Sequence, residues 1–195
     1  MAVIRLYMTT SLDGYVTGPQ DGPDTPMGIG GFRLFNWLDR RNGPGPSGQV
    51  YEELLATRAV ISGRRTYELA GRWQGDHHGG VPVFVLTHDV PDDPPPGSVR
   101  YVTDVRECAA QARAAAGDGD VMVHGAGAAQ ALLRAGQLDE LELHVVPVLL
   151  GQGRRLFDGL PAEQVELDLV RRLTTPQGED PAHHVTHLRY RVRHP

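Results

Sequence analysis

Two short stretches of this 195-residue chain set chemically potent groups where a strand turns into a helix. In ISGRRTYELAGRW (61–73), Arg64 and Arg65 follow Gly63 at the start of a helical pattern. The first turn of a helix already carries the positive end of the macrodipole and several unpaired N–H donors. Two cations are unfavourable there unless an anion joins them. Guanidinium forks suit a phosphate monoester, and two of them suit a dianion. The competing explanation is an ordinary surface pair with Glu68, four and three residues on, which contributes little.

The second stretch is VMVHGAGAAQALLRAG (121–136), where an apolar strand runs into Gly125, Ala126, Gly127 and Ala128. Such a turn points backbone N–H groups past the strand end, and glycine lets a ligand approach the main chain. Alone it is equally a tight strand–helix junction, because the third glycine of the dinucleotide fingerprint is missing and no ribose-binding acid stands at the usual spacing. The two turns together, on parallel strands of one sheet, fit the two ends of a dinucleotide. The arginines then fit the ribose 2′-phosphate of NADP.

Composition narrows the chemistry further. All 19 basic residues are arginine, so a catalytic lysine, a Schiff base or a P-loop lysine is excluded. The net charge of -5 argues against nucleic acid as the main partner. One cysteine, Cys108, rules out an internal disulfide framework and fits a reducing, cytoplasmic setting; it reads as a small filler in an Ala-rich helix. No leader-like segment opens the chain, and no apolar run is long enough to cross a membrane.

The elements that must hold the two turns follow from periodicity. Val3 to Met8 predicts a first strand, and FRLFNWLDRR (32–41) a short amphipathic helix between two Pro/Gly-rich loops, 19–31 and 42–48. Loops this long in a compact domain are usually lids or binding loops. Strands and helices then alternate: VYEELLAT helical, RAVISG a strand, RRTYELAGRW a helix, VPVFVLT and VRYV strands around the loop 89–98. DVRECAAQARAAAG reads as a helix capped by Asp104, and DVMVH as the strand before the second glycine turn. LDELELHVVPVLL, EQVELDLVRRLTT and HHVTHLRYRV read as three long final strands. The pattern predicts one α/β domain over 1–195 with a mixed, mostly parallel sheet and antiparallel strands at its C-terminal end.

With these stretches in order, the chain resembles the dihydrofolate reductase-like superfamily, and within it the reductase domain of bacterial riboflavin biosynthesis. The resemblance rests on TSLDGYVTG (10–18), ISGRRTYE (61–68), VFVLTH (83–88) and VHGAGAAQALLRAGQLDELELHVVPVLLGQGRRLF (123–157), which cover most of the chain. It implies a three-layer fold, a homodimer, and an NADPH-dependent reductase of a small heterocyclic substrate, similar to 5-amino-6-(5-phosphoribosylamino)uracil reductase. By position it puts Gly63, Arg64, Arg65 and Thr66 at the 2′-phosphate and pyrophosphate, Thr87 and His88 at the adenine ribose, and Gly125, Ala126, Gly127 and Ala128 under the pyrophosphate. Thr9 and the SLDG segment fall on the nicotinamide side. The family often has a cis Gly-Gly peptide where this chain has Gly125-Ala126.

Hydride transfer to an imine-like or carbonyl carbon also needs a proton. Dihydrofolate reductases supply an acid from the first helix, where this chain reads Arg33 or Leu34, which argues against folate. Asp13 is the carboxylate candidate beside the nicotinamide end, its alternative being a plain Asp-Gly turn. His144 is the second candidate donor, its alternative a buried structural histidine. Phe35 and Trp37 are candidate substrate-pocket walls or simply core, and Arg154 a candidate for a substrate phosphate. The histidines of DHH (76–78) and HHVTH (183–187) lack convergent metal-ligand spacing, so no metal is expected and a solvated strand end is the expectation for the second group. The rival readings are a pteridine reductase, a flavin or NADH protein on the same sheet, a non-catalytic dinucleotide-binding protein, and a structural interaction module.

Overall fold

The computed structural model describes residues 2–92, 99–160 and 164–194. Residues 93–98 of the Pro-rich loop and Glu163 of the EQVELDLVRRLTT stretch lie outside the described residues. The strands are β1 (Ile4–Ser11), β2 (Ala59–Gly63), β3 (Val83–Leu86), β4 (Val99–Val102), β5 (Val121–His124), β6 (Glu140–Val146), β7 (Leu167–Thr174) and β8 (Thr186–Val192). The α-helices are α1 (Pro46–Leu55), α2 (Arg64–Leu69), α3 (Val105–Ala116) and α4 (Ala126–Arg134). All eight strands form one sheet in the order β4-β3-β2-β5-β1-β6-β8-β7. Pairing is parallel from β4 to β6 and antiparallel from β6 through β8 to β7.

The period-two alternation of the strands builds the layers. One face sends Ile4, Leu6, Ile61, Phe84, Val121 and Val123 against α3 and α4. There Cys108, Ala109, Ala112 and Ala129 let the helices lie close, and Cys108 is fully buried as the filler its setting predicts. The other face sends Val60, Val83, Val85 and Met122 against Tyr67 of α2, with Leu54 of α1 at the margin. Each fully buried Val, Leu, Ile or Phe contributes about 1.5–3 kcal/mol, so the strands near the two turns are the most firmly held part of the sheet.

Towards the C-terminal strands this second face turns polar. Glu142 is wholly buried, where Arg171 and Arg189 pair with it, and both arginines also reach Glu53 of α1. A buried charge costs several kcal/mol unless it is paired this way. Next to this network β1 carries Tyr7 and Thr9, in register with Glu142 and His144 of β6, and His144 in turn faces His187 of β8.

Three local departures from the sequence pattern shape the cleft. FRLFNWLDRR winds as a 3₁₀ helix, Gly31–Arg40, rather than an α-helix. The helix starting at Arg64 stops at Leu69, not at Trp73, because Gly71 takes a left-handed φ of 63°. Arg72, Trp73 and Gln74 then continue with φ of 54°, 46° and 53°, a left-handed turn of three non-glycine residues. Such residues cost about 1–2 kcal/mol each, and strain of this kind collects at ligand sites.

Candidate functional site

The two strand-to-helix turns touch. A Cβ on Gly125 would lie 2.4 Å from Thr66 Oγ1, and Gly125 has a φ of 95°, so both space and backbone require glycine there. Gly63 packs against the first turn of α4, its would-be Cβ 3.6 Å from the Ala128 nitrogen. The turn after β2 and the turn after β5 therefore form one continuous ledge along the C-terminal ends of the parallel strands. No peptide bond among the described residues is cis, so Gly125-Ala126 does not share the cis geometry often found in the family.

Above the ledge, between the second sheet face and the 19–41 segment, lies a cavity of about 590 Å³. Tyr7, Thr9, His124 and His144 line it from the sheet, Thr66, Gly125 and Ala126 from the ledge, and Phe35 and Trp37 from the 3₁₀ helix. Trp37 is 2% exposed, and its indole N–H donates to Thr9 Oγ1 at 3.1 Å. This bond fixes the ring over the histidines, 4.6 Å from His144 and 5.1 Å from His187 between ring centroids. Trp37 is thus both core and wall, whereas Phe35 is a half-exposed lip.

A second cavity, about 600 Å³, opens over the start of α4, lined by Ala126, Gly127, Arg154, Arg155 and Tyr15. At Gly127 a Cβ would meet nothing within 4 Å, so the helix start is bare main chain facing open space. Asp21, from the 19–31 loop, lines both cavities. Its carboxylate accepts from Arg65 at 2.8 Å and lies 3.4 Å from Arg154 Nε. Burial alone would raise the Asp21 pKa. The Arg65 hydrogen bond and the Arg154 charge outweigh it and hold the group below its ordinary range. Arg65 and Arg154, from different elements, thus bracket a single anion position at the junction of the cavities, held by the protein's own carboxylate.

Arg64, Thr87 and His88 line neither cavity. They gather at the ends of β2 and β3, where Arg64 pairs with Glu68 at 2.8 Å and donates to the Asp89 carbonyl. Thr87 Oγ1 donates to the same carbonyl, and His88 is exposed. Arg64 pairs with Glu68, as the surface-pair explanation expects, whereas Arg65 pairs with Asp21.

Asp13 lines neither cavity. It accepts from Ser11 Oγ at 2.6 Å and from the Leu150 and Gly151 N–H groups at 3.1 and 2.8 Å. The Ser11 bond, then those two backbone bonds, lower its pKa to about 2. Its oxygens tie the end of β1 to the loop after β6. The solvated strand end expected at 183–187 is corrected. His187 is fully buried, with Nδ1 2.9 Å from His144 Nδ1 and Nε2 3.4 Å from Ser47 Oγ. Burial, then the neighbouring histidines and arginines, pushes His144 well below the ordinary histidine range, so it is neutral. Its Nε2 has no protein partner among the described residues.

Sequence reasoning missed Tyr7, Asp21, Trp73, His77 and His124, all of which line the first cavity. His124 was legible as the last residue of a buried strand entering the glycine turn. Asp21 carried no signal, since its partners lie 44 and 133 residues away. Among the described residues no group of three or more His, Cys, Asp or Glu is placed to hold a metal ion, and no helix is long and apolar enough to cross a membrane.

The sequence model of the RibD C-terminal domain matches residues 2–178. The chain belongs to the RibD C-terminal domain family. Its fold is that of a Shewanella sp. PV-4 protein assigned to riboflavin biosynthesis, at 22% identity over the whole of both chains with a TM-score of 0.71. It is shared by dihydrofolate reductase from Enterococcus faecalis, solved with NADP(H) and RAB-propyl, at 15% identity over 98% of this chain and 97% of that one with a TM-score of 0.64. No curated protein sequence matches the chain. Family and fold are those of reductases, and the three-layer, mostly parallel sheet with antiparallel C-terminal strands is dihydrofolate reductase-like.

Proposed function

We propose that this single-domain chain is an NADPH-dependent reductase that passes a hydride to a small heterocyclic substrate, in the manner of the uracil reductase of riboflavin biosynthesis. The observation that carries the reading is the ledge. Two helix starts on adjacent parallel strands bring Gly125, Ala126, Gly127 and Thr66 together, with a mainly apolar cavity on one side, an arginine-edged one over the start of α4, and Arg65 and Arg154 near their junction. A dinucleotide fits that layout because Gly127 leaves open space over the α4 N–H groups for a pyrophosphate. The neighbouring Arg65 and Arg154 supply forked donors. Arg64, Thr87 and His88 are the groups for the adenosine end and its 2′-phosphate.

When bound, NADPH supplies the hydride. The chain's own work is to hold a flat ring against the Thr9–Trp37 wall, to exclude water through Trp37 and Phe35, and to keep charge out of the cavity floor by holding His144 neutral. We place the protein in the cytoplasm and expect a homodimer. The edge strand β7 leaves Leu167, Leu169 and Val170 exposed, a surface a second copy can cover.

The test is a fluorescence titration with NADPH and, separately, NADH. NADPH-preferring binding, with Arg64→Ala weakening NADPH far more than NADH, supports the assignment. Equal losses for both cofactors remove Arg64 from the 2′-phosphate, and binding of neither removes the reductase reading.

A further inference from the structure

Beside the ledge, the first cavity has a wall of aromatic nitrogen heterocycles that hydride transfer does not require. His124, at the end of β5, and His77, after the left-handed turn, lie 5.1 Å apart between ring centroids with their planes 31° from parallel. Trp73 stands edge-on to His77 at 4.5 Å and lies tilted beside His124 at 6.1 Å. All three residues line the cavity.

The hydrogen bonds on the far side of these rings fix where their protons are. His124 Nδ1 is 2.9 Å from the Tyr7 carbonyl oxygen. A carbonyl only accepts, so Nδ1 carries the proton and Nε2 is a bare lone pair. His78 Nε2 is 3.1 Å from the Thr57 carbonyl oxygen, so in a neutral His78 the one proton sits on Nε2 and Nδ1 accepts. His77 Nδ1 lies 2.7 Å from that Nδ1 and must therefore donate, which leaves His77 Nε2 unprotonated as well. Neither Nε2 has a hydrogen-bond partner in the protein among the described residues, although every other ring nitrogen of the three histidines has one.

We infer that His77 and His124 form a specificity-determining pair of hydrogen-bond acceptors, selecting a flat ligand that offers an N–H donor edge, such as a ring-bound primary amine. The inference rests on the proposed use of this cavity for a heterocyclic substrate and adds which edge of that substrate the cavity reads. A primary amine has two diverging N–H bonds and can serve both lone pairs, while Trp73 flanks the ring. An isostere with a methyl in place of the amine leaves both lone pairs without a donor, and sites built around such bonds discriminate strongly. The groups facing the pair are His78, Tyr7 and Trp73, none of which supplies a donor to either Nε2. Burial, then the neighbouring imidazoles, holds His77 down to about 3; burial is likewise the main cause that brings His124 to about 4. Both therefore remain acceptors throughout the neutral range.

The test needs neither cofactor nor turnover. Binding of 2-aminopyrimidine and 2-methylpyrimidine to the intact protein is compared by calorimetry above the ordinary histidine range, about pH 6.5. The amine is expected to bind about tenfold tighter or better, a difference of about 1.4 kcal/mol. In His124→Phe, which keeps a ring but no acceptor, the preference should fall several-fold, and in His124→Gln, which offers a carbonyl, it should partly return. Equal affinity of the wild-type protein for the two probes overturns the inference while leaving NADPH binding, measured separately, untouched. ¹⁵N spectra of histidine-labelled protein give an independent reading that no unfolded variant can obscure. Pyridine-type Nε2 resonances for His77 and His124 are expected, and a protonated Nε2 on His124 overturns the assignment.

Discussion

The two cavities on either side of Asp21 solve opposite electrostatic problems. The first is walled by rings kept neutral: His77, His124 and His144 are all pushed down by burial, and the Tyr7 hydroxyl is already satisfied by Arg5. The second is edged by the guanidinium groups of Arg154 and Arg155. A buried site holds neutral donors and acceptors cheaply and discriminates by their direction, whereas an open site tolerates charge and discriminates by its sign. Asp21 sits where the regimes meet, and a ligand that spans both must replace it at Arg65 and Arg154.

The contrast can be broken most forcefully at the neutral side. Trp37→Ala empties a fully packed position and cuts the Thr9 bond, and should cost about 3–5 kcal/mol in chemical denaturation. Acid should act on the same side. His187 is held at about 4, His124 at about 4 and His77 at about 3, mainly by burial. Below about pH 6.5 the unfolded chain binds protons that these folded rings refuse. Stability should therefore be complete above that pH and fall steeply from there towards pH 4; thermal melts across this range check it, and a flat profile means the rings are not buried neutral. His187→Gln should flatten part of the slope.

The charged side is sharpened by smaller changes. Arg65→Ala should weaken NADPH binding roughly tenfold, a loss of the size of one charge-assisted hydrogen bond, as read by fluorescence titration. Asp21→Asn should do the reverse, tightening NADPH by several-fold and widening the difference between low and high salt, because the arginines lose their resident carboxylate and the site gains one net positive charge. A weaker NADPH complex in Asp21→Asn would show that Asp21 organises the arginines for the cofactor instead of competing with it.

The sheet was readable from the sequence because its inner strands are short, continuous apolar runs: Val60, Ile61, Val83, Phe84 and Val85 are buried on both faces and flanked by turn residues. The ledge was readable too, since glycine at 125 marks a backbone constraint that sequence states directly. The failures share a cause. The partners of Asp13 were not legible, because a carboxylate beside a glycine does not reveal that the Leu150 and Gly151 N–H groups will bond to it from across the chain. His187 read as solvated because the register that seats it against His144 is a tertiary fact. The left-handed turn at 72–74 has no local signal, for Arg, Trp and Gln do not favour that conformation.

That turn has a consequence for how the protein tolerates change. Most substitutions in a folded protein destabilise it, but at Arg72 and Gln74 glycine or asparagine would relieve backbone strain and should raise the melting temperature. The same relief would loosen the mount that holds Trp73 against His77 and His124. Selection for robustness and selection for recognition therefore pull this one segment in opposite directions. Chains of this family drifting towards Gly or Asn at 72 and 74 would be trading ligand discrimination for stability.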